Sequence, residues 1–285
     1  MSDAIDAVVD AVTSTAPDVR DGLVGRRTYE AGANPSGERQ LEADVYADEL
    51  LEARLLDIDA VAGYASEERE SVVRAGDGRG RYFVAADPLD GSSNLRSNNA
   101  MGTLFGVYDG ALPAGGDGLL ASGFVLYGPI TTMIVARDGT VTESVVDSDG
   151  SRRVVTEDLR LPEEPTVYGF GGRVPQWTDA FADYVSEVES ELKLRYGGAM
   201  IGDVNQVLTY GGIFGYPGLR ERPEGKLRLL FEGHPIAHIV ESAGGASSNG
   251  ERSLLDCTPE RLHERTPLFV GHEAYIDRLE AALSA

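Results

Sequence analysis

The run Tyr82-Phe83-Val84-Ala85-Ala86-Asp87-Pro88-Leu89-Asp90-Gly91-Ser92-Ser93-Asn94 constrains this chain more than any other segment. Its first five residues are apolar and too few for a helix, so they read as a short buried strand. Pro88 is expected to stop that strand, which delivers Asp87 at its carboxyl end, where open α/β sheets place their sites. Asp90 follows three residues on, so both carboxylates can converge on one hard cation. Gly91-Ser92-Ser93 then offers backbone N–H groups and two hydroxyls, a nest for a phosphate at a helix start. A divalent metal beside a phosphate cradle is the apparatus of phosphoryl transfer. An isolated Asp-x-x-Asp would read as an Asx turn with a helix cap; the full run is more specific than that.

The 285 residues suit one large α/β domain or two packed lobes, and a 42% hydrophobic content supplies a core. Against 25 basic residues stand 47 acidic ones, a formal net charge of −22. A surface of that sign repels phosphate backbones, which excludes a broad nucleic-acid face, and no basic membrane-surface stretch is present. Lys193 and Lys226 are the only lysines. An acidic, lysine-poor surface stays hydrated in concentrated salt, where counterions screen its self-repulsion, and this points to a halophile. No apolar run approaches the roughly 18 residues of a membrane span. Met1 to Asp6 has neither a basic nor a long apolar region, so no signal peptide is expected. The single cysteine, Cys257, allows no internal disulfide and fits the cytoplasm.

Helical and extended segments alternate along the chain. Ala4 to Val12, Leu41 to Leu56, Thr178 to Leu192, Met200 to Tyr210, Pro235 to Ala243 and Glu273 to Leu283 are predicted helices. Val61 to Ala65, Tyr82 to Ala86, Thr103 to Tyr108, Gly123 to Tyr127 and Thr131 to Ala136 are predicted strands, and Ser148-Asp149-Gly150 a turn. The polar segment Thr156 to Pro165 is the expected boundary, dividing residues 1–158 from residues 159–285.

Further motifs carry candidate chemistry. Glu67-Glu68 reads either as an acidic helix turn capped by Ser66 or as a pair that a bound cation would make useful. Lys226-Leu227-Arg228-Leu229-Leu230-Phe231-Glu232 alternates like a strand, with Lys226, Arg228, Leu230 and Glu232 on one face. Lys226 and Glu232 would then stand roughly 20 Å apart. That spacing suits a substrate with a phosphate at each end; the alternative is an edge strand with a solvated charged face. Arg195-Tyr196, ahead of a helical run ending at Tyr210, suits a second phosphate. Tyr210, Phe214 and Tyr216 also read as core aromatics, Phe214 above all. His234-x3-His238 lacks a third ligand and carries Pro235 between, which favours packing roles. Asp147 to Gly150 lacks the terminal Glu of a calcium loop, and Cys257 has no activating neighbour. Neither a Walker loop nor a dinucleotide fingerprint is present.

Four blocks together resemble class I fructose-1,6-bisphosphatase: Tyr64 to Glu68, Asp87 to Asn94, Met200 to Pro217 with Arg195-Tyr196 before it, and Gly225 to Ala237. The resemblance runs from about Val19 onward, whereas inositol monophosphatases resemble the chain only around the first aspartates. It implies a layered α/β (αβαβα) fold with an N-terminal metal-binding lobe, of the family's regulatory type, and a C-terminal sugar-phosphate lobe. It also implies that Glu67, Glu68, Asp87, Asp90, Glu232 and the Leu89 carbonyl hold two or three magnesium ions, with manganese as an alternative. Asp90, Gly91, Ser92 and Ser93 would meet the 1-phosphate end. Arg195, Tyr196, Tyr216 and Lys226 would grip the sugar and its 6-phosphate, with Met200 against the furanose. Asp44 matches the aspartate of a mobile catalytic loop, and Glu38 with Glu68 would activate the attacking water. Arg195 would reach a neighbouring subunit's site, implying a homo-oligomer (dimer or tetramer).

The family's Asn-Glu-Gly-Tyr stretch is replaced here by Gly169-Phe170-Gly171-Gly172-Arg173, and Arg173 is the expected substitute phosphate ligand. The resemblance thus implies hydrolysis of fructose 1,6-bisphosphate to fructose 6-phosphate in gluconeogenesis, without a protein nucleophile. Sedoheptulose-1,7-bisphosphatase, a broader sugar or inositol phosphatase, and a non-catalytic sugar-phosphate binder are the alternatives. AMP regulation is not expected. Asp3 and Asp6 stand where AMP-regulated members carry a Thr-Gly-Glu-x-Thr-like segment, and only Arg81-Tyr82 remains of that pocket.

Overall fold

A computed structural model describes residues 2–35, 37, 39–76 and 80–284. The helices are α1 (Ser2–Gly22), α2 (Glu42–Leu56), α3 (Asp179–Glu191), α4 (Met200–Tyr210), α5 (His234–Ser242) and α6 (Glu273–Leu283). A short pair, β1 (Tyr29–Ala33) and β2 (Arg39–Leu41), precedes α2. Next come β3 (Val61–Ser66), β4 (Val73–Arg74), β5 (Tyr82–Asp90), β6 (Met101–Asp109), β7 (Leu119–Tyr127), β8 (Thr131–Arg137), β9 (Thr140–Val146) and β10 (Arg152–Thr156). These form one eight-stranded sheet, ordered β10-β9-β8-β7-β6-β5-β3-β4. The later strands are β11 (Val167–Phe170), β12 (Lys193–Leu194), β13 (Gly212–Tyr216), β14 (Leu227–Arg228), β15 (Ala246–Ser248), β16 (Arg265–Thr266) and β17 (Leu268–Gly271). Five of them make a second sheet, ordered β12-β11-β13-β17-β15, and β14 pairs with β16 separately.

Strand alternation sorts the core into layers. On one face of the large sheet Tyr64, Val84, Ala86, Phe105 and Val125 join the apolar sides of α1 and α2. On the other face Leu104, Phe124 and Ile134 meet Ile201, Val204, Ile236 and Val240 of α4 and α5, which also touch Phe214 and Val270 of the second sheet. The outer face of that sheet packs Ile213 and Phe269 on Phe181, Tyr184 and Leu279 of α3 and α6. The molecule is therefore an α/β stack of five layers, helix–sheet–helix–sheet–helix. Each buried Leu, Ile or Phe contributes roughly 1.5–3 kcal/mol, and the central helices are buried on both sides.

Two local expectations fail. Pro88 does not stop β5. Asp87 pairs with Leu104 and Asp90 with Gly102, so three steps oppose two and the strand bulges through Pro88-Leu89. A bulge needs no ladder hydrogen bond from proline, and it leaves both aspartates on the strand. The Lys226–Glu232 strand is likewise only Leu227–Arg228, followed by a π turn from Leu229 to Gly233 that leads into α5. Glu232 folds back and accepts the Arg228 N–H at 2.5 Å, so Lys226 and Glu232 are not held apart along an extended segment. Arg228 is 2% exposed, which also removes the solvated-face alternative. Between Thr156 and Val167 lies neither helix nor strand, and this stretch links the two sheets.

Candidate active site

Glu67, Asp87 and Glu232 arrive from three different segments. Glu67 follows β3 and donates its backbone N–H to the Ala86 carbonyl at 3.0 Å, which sets it beside the end of β5. Glu68 N–H donates to Ser66 Oγ at 3.1 Å within a turn, so Ser66 closes a turn and not a helix. One carboxylate oxygen from each of Glu67, Asp87 and Glu232 lies within 4.8 Å of the others, and all three residues are buried. Burial first, then repulsion from Glu67, holds the Asp87 and Glu232 carboxyls well above the usual carboxylate range. The Arg228 guanidinium enters the cluster 2.9 Å from Glu67 and 3.9 Å from Glu232. One cation among this many carboxylates leaves the cluster short of positive charge.

The donor set is hard oxygen throughout, with no thiol or imidazole in the group, and suits magnesium or manganese. Asp90 and Glu68 line the same cavity but stand outside the close triad. Asp90 accepts the Ile201 N–H at 2.9 Å, and burial pushes it up to about 7. Burial, with repulsion from Glu67 and Asp44, pushes Glu68 up to about 8, while Gln40 donates to it at 2.5 Å. Leu89 also lines the cavity, its N–H turned to Asp87 at 3.0 Å. Asp44 sits in the first turn of α2, accepts the Leu41 N–H at 2.6 Å, and is raised by burial to about 6. Glu38 lies outside the described residues.

The cavity is about 430 Å³. Gly91, at φ 73°, opens a 3-10 turn (Ser92–Arg96), and a Cβ there would come within 2.2 Å of Ala199 Cβ. Only glycine permits that approach. Ser92 and Ser93 line the cavity with it, as do Met200, Tyr216 and Lys226. The Lys226 ammonium lies 5.7 Å from the Tyr216 ring centre, and the Tyr216 hydroxyl is 3.0 Å from that of Tyr196. Arg195 is exposed over Tyr210 and outside the cavity lining. Arg173 is exposed as well, and the fold does not bring it to the cavity.

Tyr29, Asn34, Arg39, Arg96 and Arg228 line the cavity without having been singled out from the sequence. Arg39 stacks 4.2 Å from the Tyr29 ring centre across β1 and β2, a pair with no periodic pattern to announce it. A signal for Arg228 did exist: a lone arginine in an apolar run, four residues before a glutamate. The two helix histidines part company, His234 meeting Tyr108 and the Cys257 carbonyl while His238 meets Ser122.

Two family models cover the chain: the N-terminal domain of fructose-1-6-bisphosphatase over residues 4–157, and its C-terminal domain over residues 161–284. The chain belongs to the class 1 fructose-1,6-bisphosphatase family. It is 79% identical over 283 residues to the "Fructose-1,6-bisphosphatase class 1" of Natronomonas pharaonis, covering 99% of this chain and 100% of that relative. With its counterpart in Halobacterium salinarum it is 61% identical, across 99% of this chain and 98% of the other. Among solved structures, the holo form of Leishmania major fructose-1,6-bisphosphatase superposes with a TM-score of 0.90 at 31% identity, covering 100% of this chain and 94% of that one. The high-identity relatives are haloarchaeal, in keeping with the acidic, lysine-poor composition of this fructose-1,6-bisphosphatase family member.

Proposed function

We propose that the chain hydrolyses the 1-phosphate of fructose 1,6-bisphosphate, releasing fructose 6-phosphate and phosphate, in gluconeogenesis. The observation that carries this reading is the convergence of Glu67, Asp87 and Glu232 in one cavity with the Gly91-Ser92-Ser93 cradle and Lys226. Magnesium is the proposed cation, held by Glu67, Asp87 and Glu232 with Glu68, Asp90 and the Leu89 carbonyl as further oxygen donors. When bound it supplies Lewis-acid neutralisation of phosphoryl oxygens and a more acidic water. Gly91, Ser92 and Ser93 orient the phosphate through N–H and hydroxyl donors. Glu68, ionised once a bound cation offsets the burial and the repulsion from Glu67 and Asp44 that otherwise keep it protonated, takes a proton from the attacking water, with Glu38 and Asp44 assisting. Lys226, Tyr216 and Tyr196 hold the distal phosphate, and Met200 packs on the sugar.

Arg195 is proposed to act in a neighbouring subunit's cavity within a homo-oligomer; its exposure, flanked by Leu194 at 60% and Tyr196 at 45%, supports that. Arg173 is proposed to contribute to the distal phosphate only through a shift of its loop. The working lobes are residues 1–158 and 159–285. No helix among the described residues is long and apolar enough to cross a membrane, and a cytoplasmic setting is proposed.

The test is phosphate release in molar potassium chloride with magnesium, across fructose 1,6-bisphosphate, sedoheptulose 1,7-bisphosphate, fructose 6-phosphate and inositol 1-phosphate. Preference for the first substrate is expected. Binding without release would make the chain a sugar-phosphate binder, and preference for another substrate would reassign it.

A further inference from the structure

Beside the cavity, which Gly198 lines, the chain turns into α4 through a bend at Tyr196-Gly197-Gly198-Ala199. That turn is held from two sides. From α4, the Asp203 carboxylate reaches back, accepting the Gly197 N–H at 2.6 Å and the Gly198 N–H at 3.1 Å. From the phosphate cradle, Asn94 Nδ2 donates to the Gly197 carbonyl at 2.9 Å and to the Ala100 carbonyl at 2.9 Å. Asn99 Nδ2 donates to the same Gly197 carbonyl at 2.9 Å. Asp203 is 2% exposed and Asn94 9%, so neither is a surface contact that water would replace at little cost. Gly198 sits at φ +83°, a left-handed conformation that the two flanking anchors hold in place.

The geometry points to Asp203 and Asn94 as positioning residues that lock this turn to the phosphate cradle, so that the enzyme's grip on the phosphate distal to the scissile bond depends on them. Neither side chain lines the cavity; both act through what the turn carries. Immediately before the turn is Tyr196, whose hydroxyl meets that of Tyr216 at 3.0 Å. Immediately after it, Met200 and the Asp90–Ile201 hydrogen bond belong to the cavity wall. Moving the turn therefore moves the distal hydroxyl pair, while the Glu67–Asp87–Glu232 triad, on the turn after β3, on β5 and on the π turn, stays where it is. Burial raises the Asp203 carboxyl to about 6 against the pull of its two N–H donors, so it is ionised and accepting at neutral pH.

This inference rests on the bisphosphatase reading. Its test compares two product ligands that differ in whether they carry the distal end: fructose 6-phosphate and inorganic phosphate. Asp203→Asn should raise the KM for fructose 1,6-bisphosphate and the Ki of fructose 6-phosphate by about 10-fold or more, the loss of charge-assisted bonds to two N–H groups. kcat, the Ki of inorganic phosphate and the magnesium activation curve should stay within about twofold. Asn99→Ala, at an exposed position where folding is not at risk, should give the same pattern at about 2–5-fold. Equal weakening of both product ligands, or a fall in kcat with KM unchanged, would overturn the positioning role. So would an unchanged KM in both variants. If the wild-type chain released no phosphate, the bisphosphatase reading would fail instead, and direct calorimetric titration with fructose 6-phosphate would still read the turn's contribution.

Discussion

Arg228 carries a full charge into a space where a 2% exposed side chain has no water to lean on. It is tolerated because Glu67 at 2.9 Å and Glu232 at 3.9 Å face it, and an acid–base partner lowers the cost of burying the guanidinium. Arg228→Met should therefore cost the chelator-treated protein about 3–5 kcal/mol in urea unfolding at pH 8. An unchanged midpoint would mean that the carboxylates are already neutral there. The acidic residues set a pH trend of their own. Asp44, Asp90 and Glu68 have ordinary values of 3.8, 3.8 and 4.5, raised in the fold to about 6, 7 and 8. A raised carboxyl binds its proton more tightly when folded, so its contribution is present at low pH and is lost as pH rises through the folded value. Metal-free protein should lose stability between about pH 4 and pH 8, and added magnesium should flatten that loss. Stability that climbs across this window without metal would contradict the cluster's electrostatics. The Asp87-to-Asn94 run was legible as a whole, Glu67-Glu68 stayed open between a capped turn and a cation-binding pair, and Asp44 came only through the family resemblance. Arg228 was not legible, since strand alternation put it on one face with Lys226 and Glu232, a face that the π turn abolishes.

The elements most clearly legible were those with a strong period. The helix starting at Met200 and the one from Glu273 to Leu283 sit as expected, and the apolar cores of β3 and β5 to β8 were found, each short at one end or both. The strands β11, β13, β15 and β17 were missed because they are only three to five residues long, and β11, β13 and β17 contain glycine. The β5 bulge and the turn before α5 depend on tertiary partners, Leu104 and Gly102 for the first and the buried Arg228–Glu232 pair for the second. At this scale the structure also bears on AMP. The first turn of α1 carries Asp3, and Arg81 is engaged by Asp109 through Nε at 2.7 Å and again through its Nη2. A nucleotide phosphate would meet one negative charge and have to displace another. AMP up to about 1 mM should leave phosphate release unchanged at saturating magnesium; submillimolar inhibition relieved by Arg81→Ala would show a working site there.

Across the whole molecule, the net charge of −22 is a cost to the compact state wherever it is unscreened. The ion pairs on the surface, such as Arg137–Asp6 at 2.8 Å and Arg278–Glu191 at 2.9 Å, are too few to offset 47 acidic side chains. Thermal unfolding should therefore shift upward as potassium chloride rises from about 0.1 M to molar levels, where the Debye length falls from about 10 Å to about 3 Å. A flat or falling midpoint would remove the halophilic interpretation. The five-layer stack was legible only through the family resemblance, because the facing of two sheets across α4 and α5 is a tertiary fact that local patterns do not encode. What the stack achieves is to bring β3, β5 and the turn before α5 to one point, and the account depends on that point holding a divalent cation. The most direct measurement is calorimetric titration of chelator-treated protein with manganese, paired with phosphate release, for the wild type, Asp87→Asn and Asp90→Asn. Saturable binding in the wild type is predicted, lost or much weakened in both folded variants, with turnover down by more than about 100-fold, since even supporting residues around a metal are worth roughly 10–100-fold. Wild-type-like binding and near-normal phosphate release in those variants would contradict the assignment.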